Sequence, residues 1–97
     1  MHKFIIFGNY TDKGIKNIKE SPTRVADAKK LAKEFDGKIS LFYLTLGQYD
    51  IFLICEFPDD EKAARFTIKL GSLGNVRTTT LKAFSEEEYK NFTGKNY

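Results

Sequence analysis

The chain has one cysteine and one histidine among its 97 residues, and each scarcity excludes a class of protein. Cys55 has no second thiol with which to pair, so no internal disulfide can form. His2 lies at the terminus, whereas a catalytic triad or a histidine metal site needs an oriented base or several ligands. We therefore expect neither kind of site, and we predict no cofactor and no metal.

Long apolar segments are also missing. No apolar run approaches the roughly 20 residues that a membrane-spanning helix needs. Met1-His2-Lys3-Phe4 leads directly into a strand pattern, without the long apolar stretch and small-residue cleavage site of a secretory signal. Together with the lone cysteine, these absences predict a cytoplasmic protein with no membrane partner.

What is present fits a small globular domain. The composition is 41% hydrophobic and 30% charged, which is typical of folded rather than disordered chains. We expect one domain over 1–97, with its core at about 3–88 and a frayed tail at 93–97. The net charge of +3 is mild and the basic residues are dispersed, which disfavours a nucleic-acid partner.

Apolar periodicity predicts the order strand, helix, strand, strand, helix, strand. The strands are predicted over His2 to Tyr10, Lys38 to Leu46, Tyr49 to Phe57 and Val76 to Phe84. Helices are predicted to begin near Ser21-Pro22 and Pro58-Asp59, and a short C-terminal helix to run from Ser85 to about Phe92. This order is the ferredoxin-like βαββαβ plan, an α+β sandwich with a four-stranded antiparallel sheet. Its first and third strands are central.

Local signals predict how the elements are joined. Gly47 predicts a tight two-residue hairpin between the second and third strands, because glycine readily supplies positive φ. Ser21 is a candidate cap for the first helix, and Gly37 is the candidate left-handed residue at its end. The segment Thr11 to Glu20 is predicted as a loop or a short helical turn.

Alternation along the strands places apolar side chains on both faces of the sheet. In the third strand it sets Tyr49, Ile51, Leu53, Cys55 and Phe57 against Asp50, Phe52, Ile54 and Glu56. In the second strand it sets Ile39, Leu41 and Tyr43 against Phe42, Leu44 and Leu46. Two helices cover one face only, and a large uncovered apolar patch is typical of an interaction surface. We therefore predict a homodimer packed sheet to sheet about a two-fold axis, and the sequence leaves open whether dimers associate into a higher oligomer.

Several segments, in order along the chain, resemble the GYD-domain family. They are Thr11 to Lys19, Ser21 to Arg24, Leu46 to Asp50, Pro58 to Glu61 and Gly74 to Thr78. The residues for which the family is named correspond to Gly47, Tyr49 and Asp50, with Gln48 between them. The resemblance implies a ferredoxin-like domain that pairs into a dimeric α/β barrel. It implies no particular activity.

Five side chains are candidate ligand-binding residues: Tyr10, Tyr43, Tyr49, Asp50 and Arg77. Asp50 could bind a ligand amine or act as a general base, or it could accept hydrogen bonds from backbone donors near the hairpin. Arg77 could bind a ligand carboxylate or Asp50, or it could lie on the surface of an edge strand or form a structural salt bridge. Tyr10 and Tyr43 could line a pocket through their hydroxyls, or belong to the core.

Two further features are weighed as possible sites. Cys55 lies in an apolar strand, which predicts a buried inert thiol, because reactive thiols need an accessible electropositive setting. Lys16, Asn17 and Lys19 precede the first long helix, where they either border a pocket or lie on a solvated loop.

Three functions remain open. The favoured one is a non-enzymatic dimeric module that binds a small molecule or another protein. The second is a cofactor-independent enzyme, similar to small monooxygenases and isomerases, with a pocket between sheet and helices or at the dimer interface. The third is single-stranded RNA binding, indicated by Ile6 to Tyr10, although the third strand lacks the matching aromatic pattern.

Overall fold

A computed structural model describes residues 1–94; residues 95–97 of the predicted tail lie outside the described part. The strands are β1 (His2–Tyr10), β2 (Lys38–Leu44), β3 (Ile51–Phe57) and β4 (Val76–Ala83). The helices are α1 (Asp12–Lys16), α2 (Ser21–Glu34), α3 (Asp60–Ser72) and α4 (Glu86–Thr93), and a 3-10 turn spans Ile18–Glu20. Within this part of the chain, no helix has both the length and the apolarity needed to cross a membrane.

The four strands form one antiparallel sheet in the order β2-β3-β1-β4. The register sets Phe7 opposite Phe52 on β3 and opposite Thr79 on β4. Directly opposed residues share a face, so this register decides which side chains meet. The predicted ferredoxin-like plan, with the first and third strands at the centre, is confirmed.

Both long helices pack on one face of the sheet and form the core there. The fully enclosed side chains include Phe57 and Phe66, whose ring centroids lie 5.1 Å apart, together with Ile6 and Cys55. Ala32 of α2 and Ala63 of α3 contact the same cluster. The resulting molecule has two layers and principal extents of 51 × 30 × 17 Å.

The second strand contains one extra residue, which changes the predicted grouping of its side chains. The register shifts between Ile39 and Leu41, so that Ile39 opposes Cys55 and Leu41 opposes Ile54. Ser40 is therefore the additional residue of a β-bulge. Ile39 joins Phe42 on the helix side, and Leu41 faces away from the helices. The uninterrupted alternation predicted for this strand was wrong for that reason.

The ends of α2 also differ from their prediction. Ser21 is the first residue of the helix rather than its cap, and Glu20 at the cap position makes no side-chain hydrogen bond. The left-handed residue after the helix is Asp36, with φ of 61°. A Cβ on the buried Gly37 would overlap the Phe57 ring. Glycine is therefore required at position 37 for close packing, while aspartate tolerates the left-handed backbone.

The β2–β3 hairpin has a longer connection than predicted. The backbone N–H of Thr45 donates to the carbonyl of Asp50 at 2.8 Å, and this bond closes a four-residue tip at 46–49. The Thr45 hydroxyl donates to the Tyr49 carbonyl at 2.6 Å, so a local side-chain bond replaces further strand pairing. Gly47 supplies a positive φ of 133°, as expected of glycine in a turn.

Candidate functional site

The side of the sheet away from the helices is here named the open face. By register it carries Ile5 and Phe7, Leu41 and Tyr43, Phe52 and Ile54, and Thr79 and Leu81. Leu41, Tyr43 and Leu81 are 45%, 54% and 50% exposed. An apolar surface therefore crosses all four strands, and no element of the described residues covers it.

Four rings form an aromatic cluster on this open face: Phe7, Tyr43, Tyr49 and Phe52. The Phe7 and Tyr49 rings are stacked with centroids 4.7 Å apart, and the Phe7 and Phe52 rings meet edge-on at 5.4 Å. Tyr43 lies 6.3 Å from Phe52. The prediction that Tyr49 shares a face with Ile51 was wrong, because Tyr49 belongs to the hairpin tip and does not follow the alternation of β3.

Asp50 connects the hairpin to the first strand. Its Oδ2 accepts a hydrogen bond from the backbone N–H of Tyr10 at 2.9 Å. Its own backbone N–H donates to the Gly8 carbonyl, also at 2.9 Å. The carboxylate thus accepts a hydrogen bond from a backbone donor, which is one of the two roles predicted for it. A role in ligand binding stays a prediction.

The five candidate ligand-binding residues are not gathered into one pocket. Tyr43 and Tyr49 lie on the open face, whereas Tyr10 lines a cleft on the helix side. Arg77 is exposed on the edge strand β4 opposite Asn9, and it lines a second, shallower depression together with Tyr10. Within residues 1–94, no ion pair or hydrogen bond joins Arg77 to Asp50. Their use as binding residues remains a prediction.

An opening of about 740 Å³, here named the helix-side cleft, lies between the sheet and the two long helices. The sheet side of its lining is apolar and includes Ile39, Phe42, Ile51, Leu53 and Val76. Val25, Ala28 and Leu31 line it from α2, and all three are only half-buried. The apolar stripe of α2 therefore leans over the sheet without filling the space beneath it.

Two cations stand at the Tyr10 end of this cleft. The Arg24 guanidinium donates through Nη1 to the Asn17 carbonyl at 2.8 Å and through Nη2 to the Gly14 carbonyl at 3.0 Å. The Lys13 Nζ donates to the Leu73 carbonyl at 3.0 Å. Sequence reasoning missed both residues, because their partners are backbone carbonyls that only the chain path brings together.

Of the loop residues considered from the sequence, one reaches the cleft. Asn17 lines it, whereas Lys16 and Lys19 are exposed and do not. The side-chain amide of Asn17 donates to the Lys13 carbonyl at 3.0 Å, which orders the turn beneath Arg24. The pocket-border alternative therefore applies to Asn17 alone.

The thiol of Cys55 is enclosed in the core. Its residue is 0% exposed, and burial raises the pKa of the thiol to about 12. A thiol with this pKa stays protonated at neutral pH and is a poor nucleophile, as the sequence predicted. Among the residues that the structure describes, no cluster of three or more His, Cys, Asp or Glu could hold a metal ion.

A profile of the GYD domain matches residues 4–93. The chain belongs to the GYD-domain family. A curated relative from Thermus thermophilus is 32% identical over 84 residues, which is 86% of this chain and 88% of the relative. That protein is named the glutamine synthetase and cystathionine beta-lyase binding protein.

Solved structures share the fold of this GYD-domain chain. MtbAldR aligns with a TM-score of 0.68 and 15% identity over 88% of this chain, which spans about half (52%) of its length. FFRP-DM1 aligns with a TM-score of 0.62 and 16% identity, covering 87% of this chain and 100% of that one. TTHA0845 from Thermus thermophilus aligns with a TM-score of 0.57 and 22% identity, covering 88% of this chain and 95% of that one. At these identities the likeness concerns the fold alone.

Proposed function

We propose that this GYD-domain protein is a non-enzymatic binding module that acts as a homodimer and recognises other proteins, metabolic enzymes among them. The observation that carries the proposal is the open face, an apolar surface across four strands that the chain's own helices leave uncovered. Apolar surfaces of this kind mark interaction sites on soluble proteins.

A second copy is the partner that fits the open face. Burial of apolar surface contributes roughly 25 cal/mol per Å², and sheets pack face to face at about 10 Å. The half-exposed Tyr43 and Leu81 lie at opposite sides of this face, on β2 and β4. A two-fold axis that lies in the plane between two facing sheets would bury both residues on each protomer and close the assembly at two copies.

Recognition of another protein is supported by two further observations. The Thermus thermophilus relative is named for binding two enzymes, and the alignment covers 88% of its length. The hairpin tip of this chain presents Leu46, which is 99% exposed, on a loop fixed by the Thr45 hydrogen bonds. A rigid, exposed apolar residue binds a partner at low cost in conformational entropy.

The dimer is tested by sedimentation velocity at micromolar concentration. The wild-type protein is expected to sediment as a dimer, and Tyr43→Lys with Leu81→Lys on the open face is expected to give a monomer. Ile68→Lys is the matched control, because Ile68 is 72% exposed on α3 and lies outside the sheet. A monomeric wild type, or a control as disruptive as the open-face pair, would contradict the dimer.

Partner recognition is tested by calorimetric titration of the protein with purified glutamine synthetase and cystathionine β-lyase. We expect binding to at least one enzyme, with weakened affinity for Leu46→Ser and unchanged affinity for the neighbouring Gln48→Ser. Absence of binding to both enzymes by the intact dimer would argue against these partners. The enzyme alternative requires a pocket lined by Tyr43, Asp50 or Arg77, and the helix-side cleft is lined by none of these three residues. RNA binding requires aromatic residues in a pattern that the third strand lacks.

A further inference from the structure

We propose that the helix-side cleft binds a small amphipathic carboxylate, a molecule with an apolar body and one anionic end. This site is separate from the open face and from the hairpin tip. It gives the protein a ligand that the proposed protein-binding function does not require.

The first argument is the apolar space itself. Protein interiors are normally close-packed, yet about 740 Å³ remains between α2 and the sheet. Ligand pockets occupy roughly 300–1,000 Å³, so this cleft has a suitable volume. Among the residues of α2, all of which are described, only Ala32 is fully buried. An apolar ligand beneath α2 would remove its half-exposed stripe from water and complete the core.

The second argument is the charge at the Tyr10 end. Arg24 and Lys13 both donate to backbone carbonyls, and a carbonyl does not neutralise a cation. In the described part of the chain, neither residue has a carboxylate within 4.0 Å. Arg24 uses two of its N–H donors on these carbonyls, and a guanidinium has five. Its remaining donors suit a ligand carboxylate.

The other charged groups that line the cleft leave its net charge positive. Lys30 and Lys69 line the cleft on the basic side, and Glu20, Asp27 and Glu34 on the acidic side. With Lys13 and Arg24 included, the basic groups exceed the acidic ones. The charge and the apolar lining together select an anionic amphiphile over a neutral or a cationic one.

The experiment is a titration of the wild-type protein with octanoate, followed by ¹⁵N–¹H NMR shifts, with 1-octanol as the neutral comparison. Octanoate is expected to shift the amides of residues that line the cleft, Val25, Ala28 and Phe42, and to bind at least several-fold more tightly than octanol. Octanoate that shifts no cleft amides, or octanol that binds equally, would overturn the proposal.

Matched variants test where the apolar body and the carboxylate of the ligand bind. Ala28→Trp fills the cleft and is expected to weaken octanoate binding at least ten-fold, whereas Ala26→Trp on the exposed side of α2 leaves it unchanged. Lys13→Met is expected to weaken octanoate several-fold and octanol not at all, with Lys33→Met as its control. Equal binding by the two tryptophan variants would place the site elsewhere and overturn the assignment.

Octanoate binding can be tested independently of dimer formation. The monomer expected from Tyr43→Lys and Leu81→Lys retains the cleft, so it is expected to bind octanoate as the wild type does. Loss of binding in that variant would show that the site needs the dimer and would overturn its independence. The wild-type shift map decides the location even where a tryptophan variant does not fold.

Discussion

The carboxylate of Asp50 accepts a hydrogen bond from the backbone N–H of Tyr10, which lies 40 residues earlier in the chain. This bond attaches the hairpin to the end of β1, next to the backbone bond from the Asp50 N–H to the Gly8 carbonyl. The aspartate for which the family is named therefore has a structural role in this chain, beside any role in binding.

Replacement of Asp50 tests this role. Asp50→Ala leaves the part-buried Tyr10 N–H without its acceptor, at an expected cost of about 1–3 kcal/mol in the free energy of unfolding. Asp50→Asn keeps an acceptor oxygen and is expected to cost less. Urea denaturation measures both, with the exposed Gln48→Ala as the control. Equal urea midpoints for Asp50→Ala and Gln48→Ala would show that the Asp50 carboxylate does not stabilise the fold.

Replacing either of two glycines by alanine is expected to change the stability of the fold, in opposite directions at the two positions. A Cβ on Gly14 would overlap the Asn75 carbonyl oxygen, whereas a Cβ on Gly71 would meet no atom within 4 Å. Gly14→Ala is expected to destabilise by about 1–3 kcal/mol, because backbone must move. Gly71→Ala is expected to stabilise by up to about 1 kcal/mol, because alanine favours helix. Thermal unfolding of the two variants checks the signs, and a shared sign would refute the packing explanation.

The Cys55 thiol predicts a loss of stability in alkali. Its pKa is about 12 in the folded protein against 9.0 ordinarily, so between these values the unfolded state binds fewer protons than the folded state. The free energy of unfolding therefore falls as pH rises through this window, by at most about 1.4 kcal/mol per pH unit from this group. Below pH 9 the contribution is complete.

The measurement compares wild type with Cys55→Ala by urea denaturation across the same pH range. Every ionisable group other than Cys55 is present in both proteins, so the difference between the curves isolates the thiol. The wild-type advantage is expected to shrink as pH rises from 9. A difference independent of pH would show that Cys55 titrates normally when folded.

The start of α4 predicts a response to acid. The Glu88 carboxylate accepts from the Ser85 backbone N–H at 2.9 Å, and this bond lowers the pKa of Glu88 below 4.5. The stabilising contribution of a lowered carboxylate pKa is present above its ordinary value and is lost as pH falls through the folded value. We therefore expect helical NMR shifts of residues 86–93 to weaken below pH 4.5.

Glu88→Gln separates the charge from the hydrogen bond. Glutamine retains an acceptor for the capping box but does not titrate, so α4 in this variant is expected to lose less helix in acid. Glu87→Gln, one residue earlier, is expected to behave as the wild type does. An acid response that survives in Glu88→Gln would assign the effect to other groups.

The order of the elements and the identity of the central strands could be predicted because apolar periodicity extends over whole elements. The bulge at Ser40 could not, since one additional residue leaves no compositional mark and yet reverses the faces that follow. The hairpin length was missed because the Thr45 hydroxyl bond to the Tyr49 carbonyl depends on geometry. Gly37 was assigned the left-handed backbone that Asp36 adopts, because glycine serves either purpose.

The candidate residues were predicted unevenly for a related reason. Tyr43 and Tyr49 lie on the open face, which the apolar excess of the strands had already indicated. Arg24 and Lys13 bond to carbonyl oxygens, and every residue type has a carbonyl. These bonds follow from the path of the backbone and not from residue type, which is why neither cation was predicted as part of a site.

The shortest dimension of the molecule, 17 Å, has a practical consequence. In so thin a slab each enclosed side chain lies close to a surface that can receive a partner or a ligand. Binding and folding are therefore coupled, because a partner or ligand that binds only the native state raises the free energy of unfolding. A melting curve recorded at several protein concentrations, or with a series of added compounds, therefore serves as a general assay for what this protein meets in the cell.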